Sequence, residues 1–599
     1  MRDTASLASP VMRAQRWGPR RNADGSIRFQ LWAPAERSVG LRLNGSDVQM
    51  TNSGDGWHHV DVWAPHGSVY SFVLEDGAVV GDPASRQQVG QLDGPSILRN
   101  DNSYQWRNVE WIGRPWEEAV IYEIHVGTFT PEGTFGAAIE RLPRLAELGF
   151  TAVELMPIAH FPGRRGWGYD GVLQFAPHTA YGSPDDLKAL IDAAHGLGLM
   201  VFLDVVYNHF GAEGNYLSRY APQFFRMGRD TPWGPAIAYE QEPVRRYFVE
   251  NAIYWLIDFH LDGLRLDAID QIEDSSGEHI LLEIACAMRS EIGSRHIHLI
   301  TENPANGTDL MADLPGGRLY QADWNDDFHH ALHVAVTGES GGYYEPFKRD
   351  TWAKLRQAMA HGYLKPGKPI IGDSSPPTES LPPTAFVHFL QNHDQVGNRA
   401  RGDRLHATVD RHIYRALTEM LLLSPQVPLV FMGDDHLSLQ PFHFFADYAG
   451  AIAKAIRDNR PKEVANFGGF PEGMSAADLR DPNDHETFIR SKIDWHGAAT
   501  EDGIAWGDFI KFLLEIRRGT IVPLLSQATG YSGTVLLDTP DRCVFIDWTF
   551  GSKVLQLRAN FSQHAVALPA TTGNRVYPTG DIREAGLGPA SCQAFIRQS

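Results

Sequence analysis

The octapeptide GLRLDAID, residues 263–270, sets an arginine two positions before an aspartate among apolar residues. On a strand, successive side chains alternate, so Arg265 and Asp267 point the same way. A neighbouring guanidinium favours the ionised carboxylate through charge and donated hydrogen bonds, and a carboxylate nucleophile requires that state. Three more segments are built alike: DVVYNH at 204–209, LITEN at 299–303 and FLQNHDQVGN at 389–398 each end an apolar run in charged or imidazole side chains. Such strand ends are where a barrel of parallel strands gathers its reactive groups.

The elements that must position these residues follow from periodicity. Strand-like runs lie near 120–126, 152–156, 200–205, 264–267, 298–301, 385–390 and 427–432, with a weaker sixth near 318–322. Helical stretches separate them. In SPDDLKALIDAAHGLG, Ser183 suits the N-cap and Asp186 the third helical position of a capping box, while Leu187, Leu190, Ile191 and Ala194 share a face. PVRRYFVENAIYWLIDFHLDG is expected to close at Asp262 and Gly263, and FIKFLLEIRRG, residues 509–519, to be the last barrel helix. The Pro-rich run 365–384 reads as a loop. Strand and helix alternating over nearly 400 residues imply an α/β fold, a (β/α)8 TIM barrel, at 106–524. Before it, short alternating strands punctuated by Gly, Pro and Asn imply an N-terminal β-sandwich at 1–105, and strand patterning returns in a small C-terminal β domain at 525–599.

Composition agrees with packed globular domains: 43% of the 599 residues are hydrophobic and 15 are tryptophan. A net charge of −20 opposes binding to phosphate backbones, so no nucleic-acid partner is expected. Cys286, Cys543 and Cys592 have no metal-like spacing and read as reduced thiols. Neither an export signal nor an apolar run of membrane-spanning length is seen, so no membrane partner and a cytoplasmic location are expected.

Taken in order, the four charged segments resemble the signature regions of the α-amylase family of glycoside hydrolases. That resemblance implies Asp267 as nucleophile, Glu302 as general acid and base, and Asp394 as a third carboxylate gripping sugar hydroxyls. It also implies that Tyr169, Asp170, Asp204, His209, Arg265 and His393 bracket a glucose ring. The chemistry needs one ionised and one protonated carboxyl across the scissile bond. No cofactor is called for. Some relatives hold calcium near the first region, where Asn208 could supply an oxygen, but no dense acidic loop accompanies it, and no metal site is expected.

WNDDFHHALHVAVTGESGGYY at 324–344, GAEGNYL and QNHDQVGNRARGDRL, with the sandwich segments RFQLWAP and DPASR, are similar to the trehalose-releasing branch of that family. The similarity implies a retaining hydrolase of maltooligosyltrehalose, cut at the α-1,4 bond beside its terminal trehalose. Asp326, Asp327, His329 and His330 are then candidates either to line the leaving-group subsites or to pin a rim loop. Two departures from the branch stand out: Asp434 and Asp435 replace its paired glutamates, and DPASR continues as QQVGQLDGPS. The alternatives are a 1,4-α-glucan branching enzyme and a non-catalytic glucan-binding protein. Trp32, Trp57 and Trp63 of the sandwich either stack on sugars or pack in the core.

Overall fold

A computed structural model describes residues 15–99, 103–312, 318–372, 374–569, 573–578 and 586–599. Most of the N-terminal stretch read for an export signal lies outside them. Among the described residues no helix is long and apolar enough to cross a membrane.

Eight parallel strands close a barrel: β1 (Ile121–Ile124), β2 (Ala152–Leu155), β3 (Met200–Val205), β4 (Gly263–Leu266), β5 (His298–Thr301), β6 (Ala322–Trp324), β7 (Phe386–Phe389) and β8 (Val427–Phe431), the last pairing with the first. Parallel strands covered on both faces read as near-continuous apolar runs, and every residue of these eight is buried. One face of each strand points inward. Ile121, Ala152, Met200, Phe202, Ile300, Ala322, Val387, Phe389, Val427 and Leu429 pack into one apolar plug. The same alternation, carried one or two steps further along the strands, brings Glu123, Glu154, Asp204, Arg265 and Glu302 above that plug. An apolar floor and a charged ceiling are thus one periodic pattern read upward.

The bounds of three expected elements are corrected, the last barrel helix among them. The sixth strand is Ala322–Trp324 rather than 318–322, so Trp324 belongs to the barrel wall. The helix expected to close at Asp262 and Gly263 runs Glu242–Asp258. Asp262 is instead a buried acceptor for Trp111 Nε1 at 2.7 Å, His195 Nε2 at 2.9 Å and the Val201 amide at 2.9 Å. Gly263 opens β4 because a Cβ there would stand 2.4 Å from the His298 carbonyl oxygen. The helix Pro184–Gly196 carries the expected capping box of Ser183 and Asp186. The last barrel helix is Glu501–Ile516, followed by a widened turn at Arg517–Ile521.

Two antiparallel sheets form the N-terminal sandwich, one built on Ile27–Trp32 and Trp57–Val62, the other on Gly40–Leu43 and Val69–Val73. Trp32 and Trp57 pack in its core, whereas Trp63 is 73% exposed. Arg86 joins sandwich to barrel, its guanidinium 4.2 Å from the Phe175 ring and 4.0 Å from that of Tyr254. The Tyr247 hydroxyl donates to the Pro83 carbonyl at 2.8 Å. At the other end a five-stranded sheet, centred on Cys543–Phe550, Lys553–Asn560 and Ser591–Gln598, meets the barrel through Tyr577, which donates to Glu419 at 2.5 Å.

Candidate active site

Arg265 is the hub. Its Nη1 donates to Asp204 Oδ2 at 2.7 Å and to Asp267 Oδ1 at 2.9 Å, and its Nη2 lies 2.8 Å from Glu302 Oε2. The guanidinium sits 4.1 Å from the Trp324 ring and is 1% exposed. A buried cation is costly unless paired, and here carboxyls from β3 and from the residues just after β4 and β5 surround it. Sequence reading gave no sign of Trp324 as the wall behind the arginine, because a strand of three residues has too little periodicity to read.

The hydrogen bonds to Asp267 and Glu302 differ. Both Asp267 oxygens accept, Oδ1 from Arg265 and Oδ2 from Asn208 Nδ2 at 3.0 Å. At Glu302 a single oxygen, Oε2, accepts from the Ala268 amide at 3.0 Å and also forms the ion pair with Arg265. Burial raises the Glu302 carboxyl above the usual range, and the Asp267 charge and a hydrogen bond with the Asp267 carboxyl add to the rise while Arg265 opposes it. Burial also raises Asp267, against the pull of Arg265 and Asn208. The Asn208 amide is therefore fully engaged, since its oxygen meets His209 Nδ1.

On the far side, His393 Nδ1 lies 2.5 Å from Glu123 Oε1, and its backbone amide donates to Glu123 Oε2 at 3.2 Å. His393 Nε2 is 2.8 Å from the Tyr169 hydroxyl, which donates to Asp204 Oδ2 at 2.7 Å. A ring with both nitrogens against acceptors is an imidazolium. Although burial opposes the charge, Glu123 and Asp394 raise His393 to about 9. Asp394 stands 3.6 Å from His393 Nε2 and accepts from Asn398 Nδ2 at 3.2 Å; its side chain is 38% exposed, the most open of the three carboxyls. Burial raises it, with Glu302 adding and His393 opposing.

Acids outnumber cations here. Beneath the site Glu154, 1% exposed, has no hydrogen-bond partner among the described residues for either oxygen, and burial with Glu123 and Asp204 nearby keeps it well above the usual range. Burial likewise raises Asp323 to about 8. Neither residue, nor Glu123, was singled out from sequence, because each sits inside an apolar run whose inward face is not evident until the barrel closes.

The remaining expected residues divide. His209 packs on Trp233, ring centroids 5.3 Å apart, and burial lowers it to about 4. Trp233 is itself 50% exposed on the hairpin Phe225–Thr231 and Gly234–Ile237, an aromatic face at the mouth that sequence reading missed. Asp170 hydrogen-bonds Tyr448, and burial raises it. Asp326 opens the helix Asp326–Thr337 without a hydrogen bond to any described residue, and burial raises it well above the usual range with Glu302 and Asp394 as the nearest charges. Asp327 accepts from Asn306 at 3.1 Å and the Leu364 amide at 2.8 Å; His329 bridges the Leu390 carbonyl and the Tyr344 hydroxyl. His330 is buried among Tyr343, Tyr344 and Phe347. Of these four, Asp327 and His329 have their polar atoms engaged within the rim, whereas Asp326 and the buried Nε2 of His330 have no hydrogen bond to any described residue.

Asp434 and Asp435 do not face the cleft. Asp434 accepts from Arg404 at 2.9 Å and Gln391 at 2.8 Å, and burial raises it to about 6 against the pull of Arg404. Asp435 accepts from Tyr122 at 2.6 Å and Arg144 at 3.2 Å; despite burial, His436, Arg144 and Tyr122 hold it at about 2. The shorter acids have a full set of partners. They lock β8 to β1.

Residues 95–230 match the family model of the alpha amylase catalytic domain. A malto-oligosyltrehalose trehalohydrolase from Deinococcus radiodurans is 41% identical over 520 residues, covering 85% of this chain and 84% of that protein. A solved chain from Salmonella typhimurium, named provisionally as an alpha amylase, has a TM-score of 0.92 at 48% identity and covers 98% of this chain and 100% of its own. A 1,4-alpha-glucan branching enzyme from Corynebacterium jeikeium matches over 273 residues at 32% identity, 41% of this chain and 38% of its own length.

Proposed function

The chain belongs to the malto-oligosyltrehalose trehalohydrolases, glycoside hydrolases of the α-amylase family, and from that premise we propose that it cuts the α-1,4 bond next to the terminal trehalose of maltooligosyltrehalose with retention of configuration. Asp267 attacks the anomeric carbon of the glucose preceding the trehalose. Glu302 gives its proton to the glycosidic oxygen, so trehalose leaves with its hydroxyl restored. Glu302, now ionised, takes a proton from water, which displaces Asp267 and frees the shorter maltooligosaccharide. Asp394 holds hydroxyls of the distorted ring, and Arg265, His393, Tyr169 and Asp204 fix the carboxyls and the ring's other edge. Asp326 and Trp233 supply, respectively, a polar group and an aromatic face for the sugars.

The observation carrying this reading is the unequal treatment of two carboxyls by one arginine. Asp267 has a donor on each oxygen, the pattern of a settled anion, whereas the Arg265 contact of Glu302 is through Oε2, and burial, the Asp267 charge and a hydrogen bond with the Asp267 carboxyl all raise Glu302. Two carboxyls near enough to share a hydrogen bond suit the about 5–5.5 Å separation of retaining enzymes better than the about 6.5–9.5 Å of inverting ones. Incubating the protein with maltotriosyltrehalose and separating the products tests it: free trehalose and maltotriose are expected. Absence of trehalose, or altered iodine staining of amylose with no small sugar released, would favour the branching reaction instead.

A further inference from the structure

We infer that Arg460, on the rim helix Gly450–Asn466, is a positioning residue for Asp394 that acts through the side-chain amide of Asn398. The inference rests on the role proposed above for Asp394. Arg460 is 6% exposed. Its Nη1 donates to Asn398 Oδ1 at 3.0 Å and to Glu463 Oε2 at 3.1 Å, and its Nη2 donates to the Gly397 carbonyl at 2.7 Å. The guanidinium also lies 5.4 Å from the Phe444 ring.

An amide can turn either end toward a neighbour, and the neighbour's chemistry decides which. A guanidinium only donates, so it claims the oxygen of Asn398 and turns the Nδ2 end away from itself. That end meets Asp394 Oδ1 at 3.2 Å. Without Arg460 the amide loses this preference and can present its oxygen to the carboxylate. Asn398 is the C-cap of the turn His393–Gly397, one turn beyond Asp394, so the pair is local while the residue that orients it comes from another element. The geometry of Gly397 makes the arrangement stiff: a Cβ there would fall 2.0 Å from Trp167 Cζ2, so the turn lies flush on that indole while its carbonyl is held by Arg460.

A donated hydrogen bond stabilises the charged form of a carboxyl. Losing it therefore weakens the grip of Asp394 on the distorted ring and moves the acid limb of the pH profile to higher pH. The test measures maltotriosyltrehalose hydrolysis by R460M, R460K, N398A and the R460M/N398A double variant, with D394N as reference. A hydrogen bond to a charged group translates into a loss in kcat of about 10- to 100-fold for R460M and N398A, with KM changed less than about threefold and the acid limb moved up. The double variant is expected to be no worse than N398A alone, and R460K to regain part of the loss. If R460M fails to fold, N398A carries the full loss in kcat and the moved acid limb, and R460K a smaller share of both. Multiplying effects in the double variant, an unmoved acid limb, or wild-type kcat in N398A would overturn the inference while an inactive D394N leaves the role of Asp394 standing. A fully active D394N would instead overturn that role itself.

Discussion

Each ionisable side chain in the site is assigned a charge by what faces it, and substitutions that keep shape while changing charge separate those assignments. D267N is expected to abolish turnover while retaining sugar binding by calorimetry, since binding does not need the nucleophile; loss of binding with turnover would argue that Asp267 is structural. E302Q removes the proton donor and should cost about 10²- to 10⁴-fold in kcat. At Glu154 the opposite is expected: a neutral acid replaced by a neutral amide, E154Q, should leave kcat and its pH limbs unchanged, and a shifted limb would mean that Glu154 carries charge. His393 is held at about 9, above the 6.5 of an ordinary imidazole. Its stabilisation is therefore complete below about pH 6.5 and is lost as pH rises through about 9. Denaturant titrations between those values should show stability falling in the wild type and a flatter profile in H393Q. The three acids proposed for the chemistry stand out in the sequence because each ends an apolar run. Glu123 and Glu154 do not, since nothing in a local window distinguishes an inward acid from an outward one until eight strands close.

At the scale of elements, the fold depends on a few close approaches that leave no room for a methyl group. G397A is expected to cost about 1–3 kcal/mol by overpacking, because its Cβ would overlap Trp167, and to lower kcat by tilting Asp394. Thermal unfolding and initial rates check the two effects separately; an unchanged rate would show that the turn carrying Asp394 tolerates the tilt. Helix and strand boundaries were readable where capping chemistry is explicit, as at Ser183 and Asp186. They were misread where a glycine had two explanations. Gly263 looks like a helix terminator beside Asp262, yet it serves the strand that follows, pressed against the His298 carbonyl. The histidines at 329 and 330, read either as subsite groups or as pins of a rim loop, are not assignable from a local window, because the tyrosines packed against them come from residues 343 and 344.

For the whole molecule, sandwich, barrel and C-terminal sheet are bonded together by buried side chains. Arg86, between the Phe175 and Tyr254 rings, should contribute about 2 kcal/mol where such contacts are desolvated, so R86A is expected to lower the melting temperature and to make the sandwich more susceptible to protease. Equal protease resistance in wild type and variant would show that other contacts hold the junction. The arginine at the barrel's centre has a different consequence. A guanidinium does not titrate in any condition the protein meets, so Arg265 supplies an invariant positive field while every acid around it can gain or lose a proton. The working pH range is thus written in the carboxyls, their solvent access and the His393 imidazole. An engineer wishing to move it should leave the clamp alone and alter what shields Glu302 and Asp394.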